Sequence, residues 1–585
     1  MRRRPSWPLP DGLASRTVRL ILLSVFVGLL LVSRLSMRFP SVASTPTVRA
    51  SFSPGASTAV ARATPSPSAA AAVAGLAPSP PAIGPVTLGC TDSVPAGACA
   101  RLQQIARLDR SGLVSMKDAE AEVCLGYTGP GYSARVGTWT FVVAAPFLTV
   151  EDEVASADLQ ATWRGKPSGP FRAHPLLASA DTVRTLAAHW GPPAEGAVRA
   201  VDRGSLLNEA QRAGAWAIIP FDELQVGWKV LRIDGVSPLE KGWGTDKRAQ
   251  SYPLAIPLYL GTAQRSDVLA ALKPAPDMLS NREEQKMTIV AMTGTTVLAR
   301  TVARVMEARG LTYPARDIQS WLTGADLVHI SNESSFMPNT PIASDPYTMQ
   351  FLSDDRYIQL LEAVGTKIVE LTGNHVNDYG TDPLLHSLEL YRQRGWKWYG
   401  GGANLAEATR PLTIVSGPNR LAFLGCNPVG PDCAWATADS PGAAPCDMAK
   451  LQARVRALRR QGYLPIVTLQ YWEDYNYVPS PQQIADFRAL ARAGAVVVQG
   501  SQAHQPQALE IQGSSFIHYG LGNLFFDQMW SLATRQEFVD RLVFYDGRLL
   551  SVDLRTALLE EYARPRPMTE KERQEFLQML FGLQF

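Results

Sequence analysis

Short apolar runs alternate with helical stretches along most of this chain. The alternation falls into two blocks, and the longer block covers the second half of the chain. The predicted strands there are 287–294, 325–330, 367–371, 397–400, 420–425, 465–470, 495–499, 516–520 and 541–549. Apolar positions at helical spacing predict helices at 297–309, 384–394 and 482–493, and another at 569–581. This α/β order, which ends in strands, predicts two packed sheets covered by helices.

A smaller block lies at residues 87–273 and mixes short strands, such as 138–144, with helices at 181–189 and 206–213. It predicts a second α/β domain. Residues 142–147, 150–163 and 216–224 make it resemble one lobe of a type-2 periplasmic solute-binding domain, similar to those of phosphate uptake systems. Three roles of this domain remain possible from the sequence. It could be a structural or docking module, an anion-binding module, or a sensor of small anions that controls the second block.

The N-terminal 38 residues carry the apolar run 20–32, with five arginines before it and two behind it. The run is short for a full span and suits a signal anchor or a cleaved signal peptide. The charge bias places the N-terminus in the cytoplasm and the rest outside. Residues 39–86, rich in Ala, Ser and Pro, predict a disordered linker. We therefore expect a single-pass cell-membrane protein with an extracytoplasmic C-terminal region, or a secreted one.

Composition narrows the range of partners. The 585 residues are 46% hydrophobic and 19% charged, with a formal net charge of +3. There is no basic stripe interleaved with aromatics, so we expect no nucleic-acid partner. Of the six cysteines, Cys90 and Cys99 flank a short loop and can pair, and one bridge is expected among Cys426, Cys433 and Cys446.

Polar side chains that can carry chemistry follow several predicted strands directly. His375 and His504 lie in glycine-led loops, where an imidazole can reach a ligand or a metal. Glu333 follows another strand and could bridge metals, act as a general base or cap a helix. His329 and His518, inside strands, are expected in the core.

The segment 469–475 also follows a strand and contains Gln470, Glu473 and Asp474. Its aromatic residues, with Tyr477, could line a cleft for a polymer or sugar, or could simply pack. Asp378, three residues after His375, is expected to cap a helix or to hold the loop.

Residues 287–530 resemble the CapA family of poly-γ-glutamate capsule synthesis proteins. The resemblance is carried by Gly294-Thr295-Thr296-Val297-Leu298, Asn332-Glu333, the asparagine-histidine motif at 373–380, and the segments 469–475, 500–504 and 519–528. It implies a metallophosphatase-like fold, a four-layer α/β/β/α sandwich at 285–558 with a C-terminal helical extension at 559–585. The smaller α/β domain precedes it.

The resemblance implies a set of site residues. The metal ligands carried over are Glu333, Asn374, His375 and His504; the catalytic candidates are His375 and Asp378; the substrate-binding candidates are Gln470, Glu473 and Gln502. Three ligand positions of the family are changed, to Thr295, Gln470 and Gln502. Neutral amide and hydroxyl oxygens bind transition metals weakly. We therefore expect one divalent ion (Mn, Fe or Zn) or none.

Two functions remain open from the sequence. One is a metal-dependent phosphoesterase or hydrolase, with a metal-activated water and Asp378 orienting His375. The other is a non-catalytic cell-surface protein that binds an anionic polymer such as poly-γ-glutamate. In either case the resemblance implies a role in synthesis, export or retention of a capsule polymer, with the membrane and other capsule synthesis membrane proteins as partners.

Overall fold

The computed structural model describes residues 86–108, 114–116, 121–129, 131–243, 247, 249–262 and 277–585. The expected anchor at 20–32 and all of the linker except Val86 lie outside these residues. Within the described part of the chain, no helix is both long and apolar enough to cross a bilayer.

The first domain is built on one mixed sheet of ten strands. They are β1 (Val86–Cys90), β2 (Val114–Met116), β3 (Val123–Gly126), β4 (Tyr132–Pro146), β5 (Glu153–Val154), β6 (Leu176–Ala178), β7 (Val198–Ala200), β8 (Trp216–Pro220), β9 (Trp228–Ile233) and β10 (Ala255–Gly261). The main path runs β2-β1-β3-β10-β4-β8-β6-β7, and β9 pairs with β4 and β5. Its helices are α1 (Ala96–Leu108), α2 (Ser156–Trp163), α3 (Ala180–Trp190) and α4 (Leu206–Ala213).

The second domain begins with a nine-stranded sheet. Its strands are β11 (Met287–Thr293), β12 (Thr295–Thr296), β13 (Leu327–Asn332), β16 (Thr366–Glu370), β17 (Lys397–Tyr399), β26 (Asn523–Phe525), β27 (Gln536–Tyr545), β28 (Arg548–Glu560) and β29 (Arg564–Pro567). Two short pairs accompany it, β14 (Ser335–Met337) with β15 (Leu352–Asp354), and β18 (Gly401–Gly402) with β21 (Gly442–Ala443). The main order is β17-β16-β13-β11-β27-β28-β29.

A six-stranded sheet packs against it in the order β19-β20-β22-β23-β25-β24. These strands are β19 (Leu412–Ser416), β20 (Asn419–Cys426), β22 (Leu464–Gln470), β23 (Val497–Ser501), β24 (Leu509–Gln512) and β25 (Ser515–His518). The helices of the domain are α5 (Arg300–Arg309), α6 (Gln319–Thr323), α7 (Ile358–Ala363), α8 (Asp382–Gln393), α9 (Leu405–Ala408), α10 (Met448–Arg460), α11 (Pro481–Ala493), α12 (Leu532–Arg535) and α13 (Glu570–Phe581).

Three apolar cores define the layers of this domain. One lies between the two sheets and contains Val290, Ile368 and Phe423. The other two lie between each sheet and its helices, around Leu361 for the first sheet and Leu490 for the second. The result is the expected four-layer α/β/β/α sandwich, preceded by the smaller α/β domain.

Two sequence expectations about elements are wrong. The run 541–549 is two strands, because Asp546 and Gly547 take left-handed conformations and reverse the chain between β27 and β28. The helix expected at 297–309 begins at Arg300, since the backbone N–H of Val297 donates to the carbonyl of Phe525 at the end of β26. The basic helix α10 was not predicted.

Strand polarity brings the polar loops together. In the first sheet β11, β13 and β16 are parallel, and in the second β20, β22, β23 and β25 are parallel. The carboxyl ends of parallel strands meet at one edge of a sheet, where ligands usually bind. The loops after β13, β16, β22 and β23 all carry residues that the sequence singled out.

Candidate functional site

Gln470 lies at the centre of a buried hydrogen-bonding network at this edge. Its amide nitrogen donates to Glu333 Oε1 at 2.6 Å and to Asn374 Oδ1 at 3.1 Å, and it also contacts Gln502 Oε1. The hydroxyl of Ser501 donates to Gln470 Oε1 at 2.5 Å. The orientation of the amide is therefore set from both ends, with its nitrogen facing three oxygen acceptors.

His375 is held by a carboxylate and an aromatic ring. Its Nδ1 donates to Asp378 Oδ2 at 2.8 Å, and its ring meets that of Phe351 edge-on at 4.4 Å. Burial lowers the pKa of His375, but the hydrogen bond to Asp378 and the charges of Glu333, Asp378 and Glu473 more than offset this. The net effect raises the pKa above its ordinary value, so the imidazolium form is favoured.

His504 is fixed by an amide. Its Nδ1 lies 3.0 Å from Asn523 Oδ1, while the nitrogen of Asn523 donates to the backbone oxygens of His504 and Thr534. Because the Asn523 oxygen accepts, Nδ1 of His504 is the donor of this hydrogen bond.

The loop after β23 is strained. Gln502 and His504 both take left-handed backbone conformations, with φ of 80° and 56°. Non-glycine residues adopt this region at a cost of roughly 1–3 kcal/mol, and such strain concentrates at functional sites. A side chain at Gly500 would collide with the backbone oxygen of Tyr519, so a glycine is required there.

Aromatic rings form the exposed rim of the cleft. Tyr475 stacks on His504 with ring centroids 6.2 Å apart and meets Trp530 edge-on at 6.0 Å. Its hydroxyl donates to Glu473 Oε1 at 2.5 Å. Trp530 and Trp472 are 63% and 58% exposed, so their ring faces are free to contact a ligand.

A buried ion pair supports the cleft from behind. The guanidinium of Arg300 contacts Asp527, and the backbone N–H of Thr301 donates to the same carboxylate at 3.0 Å. Arg300 also lies over the rings of Phe351 and Phe526, at 4.8 and 5.0 Å. The pair fixes Phe351, the ring that packs on His375.

The donor set does not fit a two-metal centre. The amide nitrogen of Gln470 is surrounded by Glu333 Oε1 and the side-chain oxygens of Asn374 and Gln502. A cation bound by these oxygens would have to take the place of that nitrogen. Glu333 Oε2 and Thr295 Oγ1 are buried without a hydrogen-bond partner. Among the described residues, no three His, Cys, Asp or Glu side chains converge closely enough to hold an ion.

The structure groups the sequence candidates into four sets. Glu333, Asn374, Gln470 and Gln502 share one network; His375 pairs with Asp378; His504 pairs with Asn523; and Glu473 lies on the rim. Sequence reasoning gave no separate role to Ser501, Asn523, Phe351 and Arg300. Asn523 could have been found, because it lies in a motif that carried the resemblance.

The two histidines expected in the core are indeed buried. His329 Nε2 lies 2.8 Å from the Tyr399 hydroxyl, and His518 Nδ1 lies 2.7 Å from Asp540 Oδ2. Burial lowers the pKa of His329 to about 3, so it is neutral. The disulfide Cys90–Cys99 confirms the expected pairing, and the one bridge expected among Cys426, Cys433 and Cys446 joins Cys426 to Cys446. Cys124 and Cys433 are free.

Residues 289–528 match the family model described as bacterial capsule synthesis protein PGA_cap. The capsule biosynthesis protein CapA of Bacillus anthracis is 23% identical over 312 residues, which are 52% of this chain and 74% of that protein. The PGA biosynthesis protein CapA of Bacillus subtilis (strain 168) is 23% identical over 242 residues, 41% of this chain and 63% of that protein.

Two solved structures are each similar to part of the chain. A 5'-nucleotidase precursor from Thermus thermophilus is 15% identical with a TM-score of 0.28, over 50% of this chain and 58% of that one. An ABC-type phosphate transport receptor from Vibrio cholerae is 9% identical with a TM-score of 0.26, over 32% of this chain and 90% of that one. Residues 289–528, whose motifs form the cleft described above, therefore match the bacterial capsule synthesis family, and this part of the chain is similar to the CapA proteins.

Proposed function

We propose that this chain acts in the synthesis, export or retention of an anionic capsule polymer such as poly-γ-glutamate. The match of residues 289–528 to the capsule synthesis family supports this role. The proposal includes attachment to the cell membrane through residues 1–38, with the described domains on the extracytoplasmic side, or secretion if that segment is cleaved. Other membrane proteins of capsule synthesis are the proposed protein partners.

We also propose that the cleft works without a metal ion. The observation that carries this is the amide of Gln470, which donates to Glu333 and Asn374 and contacts Gln502. An ion in their midst would have to displace that nitrogen and leave its hydrogens unpaired in a buried site, which costs roughly 1–3 kcal/mol. The oxygens that remain are mostly neutral and are weak ligands for transition metals.

The rim suits contact with the uncharged parts of a polymer. Each unit of poly-γ-glutamate has an amide, two methylene groups and a carboxylate. The exposed rings of Trp472 and Trp530 offer surfaces on which methylene and amide groups can pack. The imidazolium form of His375 can donate to an acceptor, whereas Glu473 and Asp474 on the same loop repel carboxylates.

A metal-dependent phosphoesterase or hydrolase is the second candidate. The favouring observation is that His375 and His504 both commit Nδ1 to a neighbour, Asp378 or Asn523. Metal-binding histidines commonly do so, because the bond leaves Nε2 for the ion.

The deciding experiment is the metal content of the purified full-length chain after incubation with Mn²⁺, Fe²⁺ or Zn²⁺ and removal of excess ion. The wild type is compared with the His375→Ala, His504→Ala variant. A third sample carries Thr295→Asp, Gln470→His and Gln502→His, which returns the ligand types expected from the family. We expect no ion above background in the first two samples and a gain in the third.

The opposite result is equally definite. About one ion or more per wild-type chain, lost in the His375→Ala, His504→Ala variant, would contradict the metal-free cleft. It would establish the phosphoesterase or hydrolase as the better proposal. The third sample shows that the assay detects an ion when the cleft has the ligands to hold one.

A further inference from the structure

Two neighbouring cavities on the second domain form one groove. The first, of about 330 Å³, is lined by residues of α9 and α10 and by the disulfide Cys426–Cys446. The second, of about 440 Å³, lies beside β17 and the start of β19. Arg410 lines both, so the two cavities adjoin at that side chain, and together they are called the groove. Neither contains a residue of the cleft.

The groove is basic. Its cationic lining residues are Arg392, Lys397, Arg410, Lys450 and Arg454. Three of them form ion pairs at the surface: Arg392 with Glu389, Arg410 with Glu407, and Lys450 with Asp447. Among the described residues Lys397 and Arg454 have no ion pair, and Arg454 donates to the backbone oxygen of Thr409 instead. Excess positive charge therefore remains along the groove.

The charge continues along α10. Residues 448–460 contain Lys450 and four arginines and have no acidic side chain. Arg456, Arg459 and Arg460 are exposed beyond the groove. Lys450 and Arg454 are one turn apart, a separation of about 6 Å along the helix axis, so they present charges at regular intervals. This arrangement suits a ligand with repeated negative charges.

The floor of the groove is apolar. Leu424 is buried there, and Leu405 and Leu451 are half-buried beside it. At the other end Trp398 lies 5.8 Å beneath the guanidinium of Arg392. A concave surface with an apolar floor and cations along its sides can bury the methylene groups of an extended chain while pairing its charged groups. A bilayer surface would instead need a protruding face.

We propose that this groove binds a chain of repeated carboxylates. Arginine and lysine pair with carboxylates, and arginine can do so through two parallel hydrogen bonds. The groove provides the positive charge that the acidic rim of the cleft lacks. The inference rests on the proposed function for the identity of the polymer, since poly-γ-glutamate is a chain of this class. The groove holds the polymer and the cleft contacts its uncharged groups.

Binding of fluorescently labelled poly-γ-glutamate to the full-length chain tests this, at about 0.15 M ionic strength where surface charges are screened beyond roughly 8 Å. The groove variant carries Lys397→Gln, Arg410→Gln and Arg454→Gln. The control carries Arg199→Gln, Arg203→Gln and Arg212→Gln on the first domain, which are exposed and remove the same charge. We expect the groove variant to weaken binding at least tenfold and the control to change it less than twofold.

The other outcomes separate the two proposals. The groove variant could bind the polymer as tightly as the wild type, while the Trp472→Ala, Trp530→Ala variant loses binding. That result would overturn the proposal that the groove binds the polymer, and it would leave the proposed function standing. No binding by the wild type would count against the proposed function itself. Groove-dependent binding of duplex DNA or of anionic phospholipid vesicles as tight as that of the polymer would overturn the polycarboxylate class. If Arg454→Gln fails to fold, the Lys397→Gln, Arg410→Gln pair repeats the test.

Discussion

The side-chain amide of Gln470 determines the chemistry of the cleft. It is both donor and acceptor in a buried network, and its nitrogen faces oxygens of Glu333, Asn374 and Gln502. A histidine at this position would present a lone pair to an ion, whereas the amide presents hydrogens to the oxygens around it. The oxygens of Glu333, Asn374 and Gln502 therefore face a hydrogen-bond donor in this structure.

This network also stabilises the fold, so Gln470→Leu should lower the free energy of unfolding by about 2–3 kcal/mol. The apolar side chain leaves Glu333 Oε1 and the Ser501 hydroxyl unpaired in a buried site. Urea denaturation of both proteins measures the difference. Gln461→Leu, at an exposed position after α10, is the control and should change stability by less than about 0.5 kcal/mol. Equal effects of the two substitutions would contradict the network.

The His375–Asp378 pair leads to a prediction about pH. The folded-state pKa of His375 is raised above its ordinary value of 6.5, so protonation stabilises the folded state below that pH. This stabilisation is lost as the pH rises through the folded pKa. Asp378→Asn removes the hydrogen-bonded charge and should lower the pKa. NMR titration of ¹³C-labelled histidine reads both values, and a pKa at or below 6.5 in the wild type would contradict the assignment.

The sequence located the chemical residues and the nearby partner of His375, Asp378, but not the partners that lie far away in the sequence. His375, His504 and Glu333 were found because apolar runs end directly before them, and the end of a strand is visible in a hydrophobic pattern. The contact between Gln470 and Glu333 joins residues 137 positions apart, and that between Arg300 and Asp527 spans 227. Such contacts depend on how the two sheets pack, and this packing cannot be predicted from the pattern of residues that are close in sequence.

At the scale of elements, strong periodicity predicts helices correctly and weak periodicity does not. The helix expected at 206–213 is α4, and that expected at 482–493 is α11 with one residue added. The pattern misses the basic helix α10 because only Val455 and Leu458 are buried among its many arginines. It merges β27 and β28 into one strand because the turn between them is only two residues long.

The disulfide Cys426–Cys446 connects the end of β20 to the loop before α10, and it lines the basic groove. It closes a loop with a sequence separation of 20 residues, for which restriction of the unfolded chain contributes about 3 kcal/mol. Cys446→Ser should therefore lower the free energy of unfolding by roughly that amount. Cys433→Ser, at the free and exposed cysteine, should have little effect. Denaturation without reductant compares them, and equal stability of the two variants would contradict this contribution.

At the scale of the whole molecule, the two domains share a core. Val142, Ala217 and Phe221 of the first domain are buried with Ile289 and Val543 of the second. Ionic contacts also cross between them, including Arg541 to Glu240 at 2.7 Å. Separation of the domains would expose the shared apolar surface of both to water, so unfolding of one domain destabilises the other. We therefore expect the pair to unfold in a single thermal transition.

Asp152 also takes part in an ionic contact between the domains. Arg573 of α13 donates to both of its oxygens, at 2.6 and 2.9 Å, and Lys229 lies 2.7 Å away. Burial raises the pKa of Asp152, but the two cations outweigh it and lower the net value. Burial lowers the pKa of Lys229 to about 8 despite the carboxylate beside it. Removing one member therefore leaves the others buried and imperfectly compensated.

Arg573→Gln should consequently weaken the junction more than either domain. Removing one partner of a buried pair costs roughly 3–5 kcal/mol, a loss that falls mainly on the contact between the domains. Differential scanning calorimetry should then resolve two transitions in the variant where the wild type shows one. Arg488→Gln is the matched control, because Arg488 also pairs through two hydrogen bonds, both 2.8 Å long, with Glu510 inside the second domain. One unshifted transition in Arg573→Gln would show that the Asp152 contact is not needed to couple the domains. Two transitions in the control would show that the effect is not specific to the junction.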